Sequence, residues 1–239
     1  MIKYPSIENL WPRDPVTKKL IFHEGFRKPE FYVPRMWTLQ EKIDGMNIRV
    51  VLTRDEDGRE SIDIKGRTDN AQLTAENLEA VRRSFSADAW APIFAFFGSD
   101  KDGNQRPKFT TTIYGELYGP KIQKGGGNYG PRQDFRVFDV LYGHAGPGQV
   151  WATLDEIVEA SYVTGLKVVP TFEAILSDEL NDLRDARALR YLAPYSIVAA
   201  IENGDYDTDA EGVVARPEEV ILDRNGNRVM WKLPFRDLE

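Results

Sequence analysis

Cysteine is absent from the 239-residue chain, and histidine occurs twice, as His23 and His144. Without cysteine there is no disulfide framework, no thiolate zinc site and no cysteine nucleophile. With two histidines, neither a histidine-rich metal site nor a histidine-dependent triad is expected. No apolar run approaches the roughly 18 residues that a membrane span needs. The opening Met-Ile-Lys-Tyr-Pro-Ser lacks a signal-peptide core. These absences fit a cytoplasmic protein with no membrane partner. A general excess of positive charge is missing too. The net charge of −7 argues against polyanion binding by the whole surface and leaves room for a local basic groove. What is present is 41% hydrophobic and 29% charged residues without a long biased segment, the composition of a folded chain with a sizeable core. There is no internal repeat and no linker, so one domain over 1–239 is expected.

Residues 1–40 read as irregular, because Pro5, Pro12, Pro15, Pro29 and Pro34 keep resetting the backbone. Their aromatics, among them Tyr4, Trp11, Phe31 and Trp37, imply a segment packed onto the domain. Ile48, Val50 and Leu52 alternate as in a strand, and Asp57-Gly58 signals a hairpin returning through Ile62 and Ile64. Leu78, Val81 and Phe85 predict one helix over 74–90 with Thr74 as cap. Residues 109–119 and 135–142 read as strands. Thr153 and Glu156 form a capping box for a helix that Gly165 stops. A strand over 166–172, a helix from Ser177 to just before Pro194, an ambiguous 196–201 and a strand over 211–217 follow. Asn225-Gly226 predicts a closing hairpin. Many strands with interspersed helices make the chain α+β with largely antiparallel sheets.

The chemistry-bearing stretch is Gln40-Glu41-Lys42-Ile43-Asp44-Gly45-Met46-Asn47. In a strand, Lys42 and Asp44 would share a face, since side chains alternate, and Gly45 would admit a ligand or a turn. A lysine becomes a nucleophile only when desolvated or set beside other cations, its ordinary pKa being roughly 10.4. Taken alone, Lys-x-Asp-Gly is a weak signal that more often marks a solvated surface turn. Arg67 follows the returning hairpin strand, which would bring it near Lys42, and its fork suits phosphate oxygens. Glu116 lies on a β-branched strand, where a buried carboxylate needs a partner, a ligand or a metal; an exposed edge carboxylate reads the same. Lys121 and Lys124 flank a glycine-rich loop, 125–127, that suits either phosphate or a plain surface turn, and Tyr129 suits either base stacking or packing. Glu211 opens one strand and Lys232 stands on another.

In order, Glu41-Lys42-Ile43-Asp44-Gly45, Gly66-Arg67, Tyr114-Gly115-Glu116, Phe135-Arg136-Val137-Phe138-Asp139, Glu211-Gly212-Val213-Val214 and Trp231-Lys232-Leu233 resemble the motifs of the covalent nucleotidyltransferases, which comprise polynucleotide ligases and mRNA capping enzymes. Within that superfamily the chain is most similar to the RNA ligases of the second T4 type, including small phage and bacterial members, from about Tyr4 to Leu238. The resemblance implies an ATP-grasp-like adenylyltransferase core flanked by helices. It implies ATP as cofactor, AMP as a covalent intermediate, Mg2+ or Mn2+, and RNA ends or nicked duplex as partner. Lys42 would be the nucleophile, with Asp44 counted beside it. Arg67 would contact phosphate and Lys232 would grip the α-phosphate. Glu116 would bind the adenosine ribose or a metal-bound water, and Glu211 would act with metal. Phe138 would stack on adenine, with Phe135 the alternative. Asn47 matches a position tied to strand joining and, with Arg67, Lys121 and Lys124, would contact substrate.

One departure from the pattern stands out. The last motif usually carries two lysines around a spacer, and here Met230 or Pro234 replaces one of them; Arg236-Asp237-Leu238 favours Pro234 as the substitute, and Lys121, Lys124 or Arg228 is the expected compensation. The chain also stops just after this motif, where DNA ligases and capping enzymes carry an oligonucleotide-binding domain, so a bare catalytic core is expected. A monomer is expected, with an end-healing kinase or phosphatase as a candidate partner. A ligase of DNA nicks and a non-catalytic nucleotide- or RNA-end-binding protein are the competing readings.

Overall fold

The computed structural model describes residues 3–100, 102–143, 148–183 and 187–238. His144 and the middle of the expected helix after Ser177 (184–186) lie outside the described residues. In chain order the elements are β1 (Glu8–Asn9), β2 (Met36–Glu41), β3 (Met46–Arg54), β4 (Glu60–Gly66), α1 (Ala75–Ser84), α2 (Ala87–Phe97), β5 (Phe109–Tyr118) and β6 (Asp134–Tyr142). Then come β7 (Val150–Trp151), α3 (Leu154–Thr164), β8 (Thr171–Leu176), α4 (Ser177–Asp182), α5 (Ala188–Leu192), α6 (Ile197–Asn203), β9 (Gly212–Pro217) and β10 (Trp231–Pro234). The protein is α+β, and only the β1–β10 pair among the named strands is parallel.

Two compact units arise: Met1–Tyr4 with Gly45–Val168, and Pro5–Asp44 with Val169–Glu239. The first unit carries a sheet of order β4-β3-β5-β6-β7. Ile48, Val50, Leu52, Ile113, Phe135, Val137 and Val140 point to one side of it and form a core with α1, α2 and α3. The alternation of β3 dictates this: its even-numbered apolar residues face the helices, and Asn47 and Arg49 face away. The second unit carries a sheet of order β1-β10-β9-β2-β8. Trp37, Leu39, Val213, Ala215, Trp231 and Leu233 form its core face together with residues of the irregular N-terminal segment, Leu10, Trp11, Leu20 and Phe31.

Several expected elements are corrected. Met36–Glu41 is a strand between β9 and β8 rather than the end of an irregular segment. Lys42 and Asp44 therefore lie in the β2–β3 connection and not within a strand. The single helix over 74–90 is two helices. Thr74 caps the first with a complete capping box, Phe85 leaves helical geometry, and Ser86 starts the second. Ser86 is extended but makes no side-chain cap bond, and the second helix runs on through Pro92. The strand expected at 166–172 instead begins after Pro170, as β8, because that ring cannot donate to a ladder. Ser177 opens the short α4, and α5 is separate. Residues 197–203 are helical under a Ser196 cap. The closing hairpin shrinks to one bridge, Leu222 with Arg228, and the last strand pairs with β9.

Candidate active site

In the second unit, β2 and β9 run antiparallel and set Glu41 opposite Val213. The pairing continues one step further, where the Lys42 amide donates to the Gly212 carbonyl at 2.9 Å. That register delivers Lys42 to Glu211, and Nζ lies 2.6 Å from Oε2 with both side chains mostly buried (22% and 16% exposed). Three features hold this geometry. The Glu211 carbonyl accepts from the Phe235 amide at 2.8 Å. Gly212 lies so close to β10 that a Cβ there would stand 2.3 Å from the Leu233 carbonyl oxygen. Glu41, 2% exposed, turns inward and accepts from the Ser196 hydroxyl (2.5 Å) and the Val198 amide (3.0 Å), tying the end of β2 to the first turn of α6. A second cation stands by: Arg236 Nη1 lies 4.0 Å from Glu211 Oε1. Lys232 is on β10 opposite Val214, itself opposite Gln40, on the sheet face turned away from the core.

In the first unit the polar side of the sheet carries cross-strand rows. Asn47, Glu116 and Arg136 form one; Arg49, Tyr114 and Asp139 form the next. Glu116 is partly buried. The Asn47 Oδ1 is buried with no hydrogen-bond partner among the described residues, which is rare for a buried acceptor. Gly45 lies directly on this row, since a Cβ there would stand 2.4 Å from the Leu117 carbonyl oxygen and 2.7 Å from the Glu116 Cγ. The glycine of Lys-x-Asp-Gly is thus required for close approach to β5.

The register slips between Tyr114 and Gly115, leaving Phe138 as the extra residue of a β-bulge. A bulge breaks strict alternation and re-aims side chains. Here it leaves Phe138 partly exposed, with the Tyr4 ring edge-on at 5.0 Å. Phe135, by contrast, is fully buried against Gly115, where a Cβ would meet its ring at 2.3 Å. Of the two aromatic candidates, Phe138 is the one whose ring is partly exposed. Asp139 is wholly buried and accepts from the Tyr4 hydroxyl at 2.8 Å. Burial, and secondarily the Asp139 charge, pushes the Tyr114 phenol well above its ordinary value.

Arg67 is exposed just beyond β4. Its loop is clamped by Arg49, only 1% exposed, whose Nε donates to the Gly66 carbonyl (2.8 Å) and whose Nη2 reaches Asp69 (2.8 Å). The Arg49 hydrogen bond holds the Asp69 carboxyl below its ordinary value. Lys121 and Lys124 are exposed, and Tyr129 packs against Tyr118 in the glycine-rich turn. That turn is also fitted rather than slack: Gly126 is buried, and a Cβ would meet the Gly119 carbonyl oxygen at 2.1 Å.

The structure thus joins Lys42 with Glu211 in one unit and gathers Asn47 and Glu116 in the other, with Phe138 displayed by the bulge on that unit's sheet. Sequence reasoning missed Arg49, Asp69 and Arg236. Arg236 carried a faint signal, a cation two residues past the missing lysine. Among the described residues no group of three or more acidic or histidine side chains could form a metal cage. Glu211 and Glu116 are oxygen donors of the kind Mg2+ or Mn2+ accepts when substrate phosphates complete the shell. No helix among the described residues is long and apolar enough to cross a membrane.

A family model described as RNA ligase matches residues 35–233. No curated protein matches the chain. Among solved structures, a substituted Naegleria gruberi RNA ligase with ATP and Mn is 17% identical, with a TM-score of 0.60. The same organism's RNA ligase with PPi is 17% identical, with a TM-score of 0.55. A third, substituted form with AMP and Mn gives 17% and 0.55. These alignments cover 98%, 96% and 97% of this chain and 56%, 61% and 61% of the other. At this identity they establish a shared fold, and the chain spans little more than half the length of the ligase it matches.

Proposed function

The chain belongs to the RNA ligase family, and from that premise we propose that it is an ATP-dependent RNA ligase, of the second T4 type and with an ATP-grasp-like core, that serves as one nucleotidyltransferase domain. The observation that carries this reading is the Lys42–Glu211 contact at 2.6 Å, held by the backbone on both sides. The Naegleria structures with ATP, AMP and Mn support the same nucleotide and a divalent metal.

The Lys42 Nζ attacks the α-phosphorus of ATP; a P–N bond forms, the bond to the β-phosphate oxygen breaks, and pyrophosphate leaves. Attack requires the uncharged amine, and Glu211 Oε2 is the base in reach of its proton. Lys232 and Arg67 neutralise charge that builds on the phosphates. Phe138 stacks on adenine, and Glu116 takes the ribose. A 5′-phosphate oxygen of RNA then attacks the phosphorus on Lys42, forming a P–O bond as the P–N bond breaks and the amine regains a proton. The 3′-hydroxyl oxygen attacks the RNA 5′-phosphorus, loses its proton and expels AMP, closing the phosphodiester. Asn47 accepts a hydrogen bond from that hydroxyl, a role its buried, partnerless Oδ1 supports. Asp44 orients the connection that carries Lys42, and Lys121 and Lys124 hold the RNA. Glu211 would act with Mg2+ or Mn2+, which supplies neutralisation of phosphate charge, and Glu116 would hold a metal-bound water where it does not take the ribose. Arg236, beside Glu211, compensates for the missing lysine at Pro234. The setting proposed is a cytoplasmic monomer that receives ends from a healing kinase or phosphatase.

The test is covalent labelling. With labelled ATP and Mg2+ or Mn2+, the denatured parent should carry label, and Lys42→Ala should carry none. A parent without label under either metal would make the protein a binding module. Sealing confined to all-DNA nicks would overturn the RNA assignment.

A further inference from the structure

Just past the end of β5, the first unit holds a cavity of about 240 Å3, of whose lining the steps above use only Lys121. Its polar lining comes from Glu76, Arg83, Lys121, Arg132 and Gln133. Three cations against one carboxylate leave an excess of two positive charges there, on a chain whose net charge is −7. The wall is braced from inside. Gln133, 5% exposed, donates to the Pro120 carbonyl (2.9 Å), accepts from Asn77 of α1 (2.9 Å), and offers its own carbonyl to Arg83 (2.6 Å). Lys121 takes a left-handed backbone (φ 69°), rare for a residue with a Cβ and a conformation that recurs at ligand clamps. Its contact with Glu76, 3.2 Å between exposed side chains, is the weak kind that an incoming anion displaces.

The remaining lining is Ala80, Pro120 and Pro131, with no aromatic ring to stack a base. The volume falls below the ~300 Å3 at which drug-sized ligand pockets begin. Cations without a stacking platform in a small cavity suit a phosphate. Lys121 follows Glu116 by five residues. The pocket therefore lies within about 17 Å of the Glu116 row along the chain, or about five nucleotides of stacked strand. We propose that it grips one phosphodiester of the RNA a few nucleotides from the end being joined, an inference that rests on the ligase reading.

The test uses the full chain and a short 5′-phosphorylated single-stranded RNA, with affinity read between 50 and 200 mM salt. Each lost phosphate contact should flatten the slope of log affinity against log salt by about 0.7. Over that fourfold range Arg83→Gln/Arg132→Gln should lose about sevenfold less affinity than the parent, and Arg132→Gln alone about 2.6-fold less. Arg83 also braces Gln133, so if the double variant melts early the single variant decides. Slopes equal to the parent's overturn the proposal. Labelling from ATP, run on the same proteins, should persist; labelling that falls together with RNA binding assigns the pocket to ATP's phosphates and also overturns it. A parent that neither labels nor binds RNA sinks the ligase reading itself, whereas a parent that does both, with unchanged slopes in the variants, sinks the pocket alone.

Discussion

The two polar faces are built by different means. In the second unit, Lys42 and Glu211 sit at the ends of adjacent strands and are drawn together by backbone bonds, a glycine without room for a Cβ, and an ion pair. In the first, Asn47 and Glu116 lie within the sheet, and register alone places them. A strand-end site moves when any of its tethers is cut. A mid-sheet site is kept by the whole ladder and is perturbed chiefly by a slip of register, as at the Phe138 bulge. The Lys42 half should therefore be the more fragile of the two.

The largest expected effect tests the ion pair itself. Glu211→Gln keeps the shape of the side chain and removes its charge, so labelling from ATP should fall by about 10²–10³-fold. Glutamine keeps an acceptor for the Lys42 amine, so stability should change by only about 1–2 kcal/mol. Labelling rates and a thermal melt on one preparation check both. A variant that melts many degrees early would make Glu211 a structural residue and remove it from the chemistry.

The next effect compares tethers. Gly212→Ala must push the new methyl into the Leu233 carbonyl and the Pro234 Cα, 2.3 and 2.8 Å away. Backbone on both sides leaves nothing flexible to yield, so a loss of about 2–3 kcal/mol is expected, or about 5–10 °C in melting temperature. Gly45→Ala meets the Leu117 carbonyl at 2.4 Å and the movable Glu116 side chain at 2.7 Å. It should cost less stability, because one of its two collisions can be relieved, and should show mainly as a displaced Glu116. Equal melting losses in the two variants would erase the proposed difference between the halves.

How much of this was legible in the sequence follows from the same physics. The order of motifs pointed to the family, and period-2 apolar patterns located β3, β4 and the core side of β10. Capping chemistry located α3, where Thr153 and Glu156 form the expected box. The misses are tertiary. Proline-rich surroundings hid β2, although its Trp37 and Leu39 are wholly buried. Leu78, Val81 and Phe85 kept helical spacing up to the residue where α1 stops, so periodicity could not see the break. The bulge that re-aims Phe138 is a mismatch between two strands and is written in neither alone. Arg49 looked like an ordinary polar position of a half-buried strand. Its full burial depends on the carbonyl of Gly66 and the carboxylate of Asp69, partners that exist only after folding.

That last contact gives the smallest effect and the finest test. Asp69 is exposed and is held below its ordinary value of 3.8, first by its hydrogen bond from Arg49. A carboxyl depressed on folding contributes stability above its unfolded pKa and loses it as pH falls through the folded value. Asp69→Asn removes that contribution. The urea midpoint of the variant should therefore lie slightly below the parent's at pH 7, and the gap should close as the pH drops below 3.8. A gap that persists unchanged in acid would mean that the substituted amide fails through its shape rather than its lost charge, and that Arg49 holds the Arg67 loop through the Gly66 carbonyl alone.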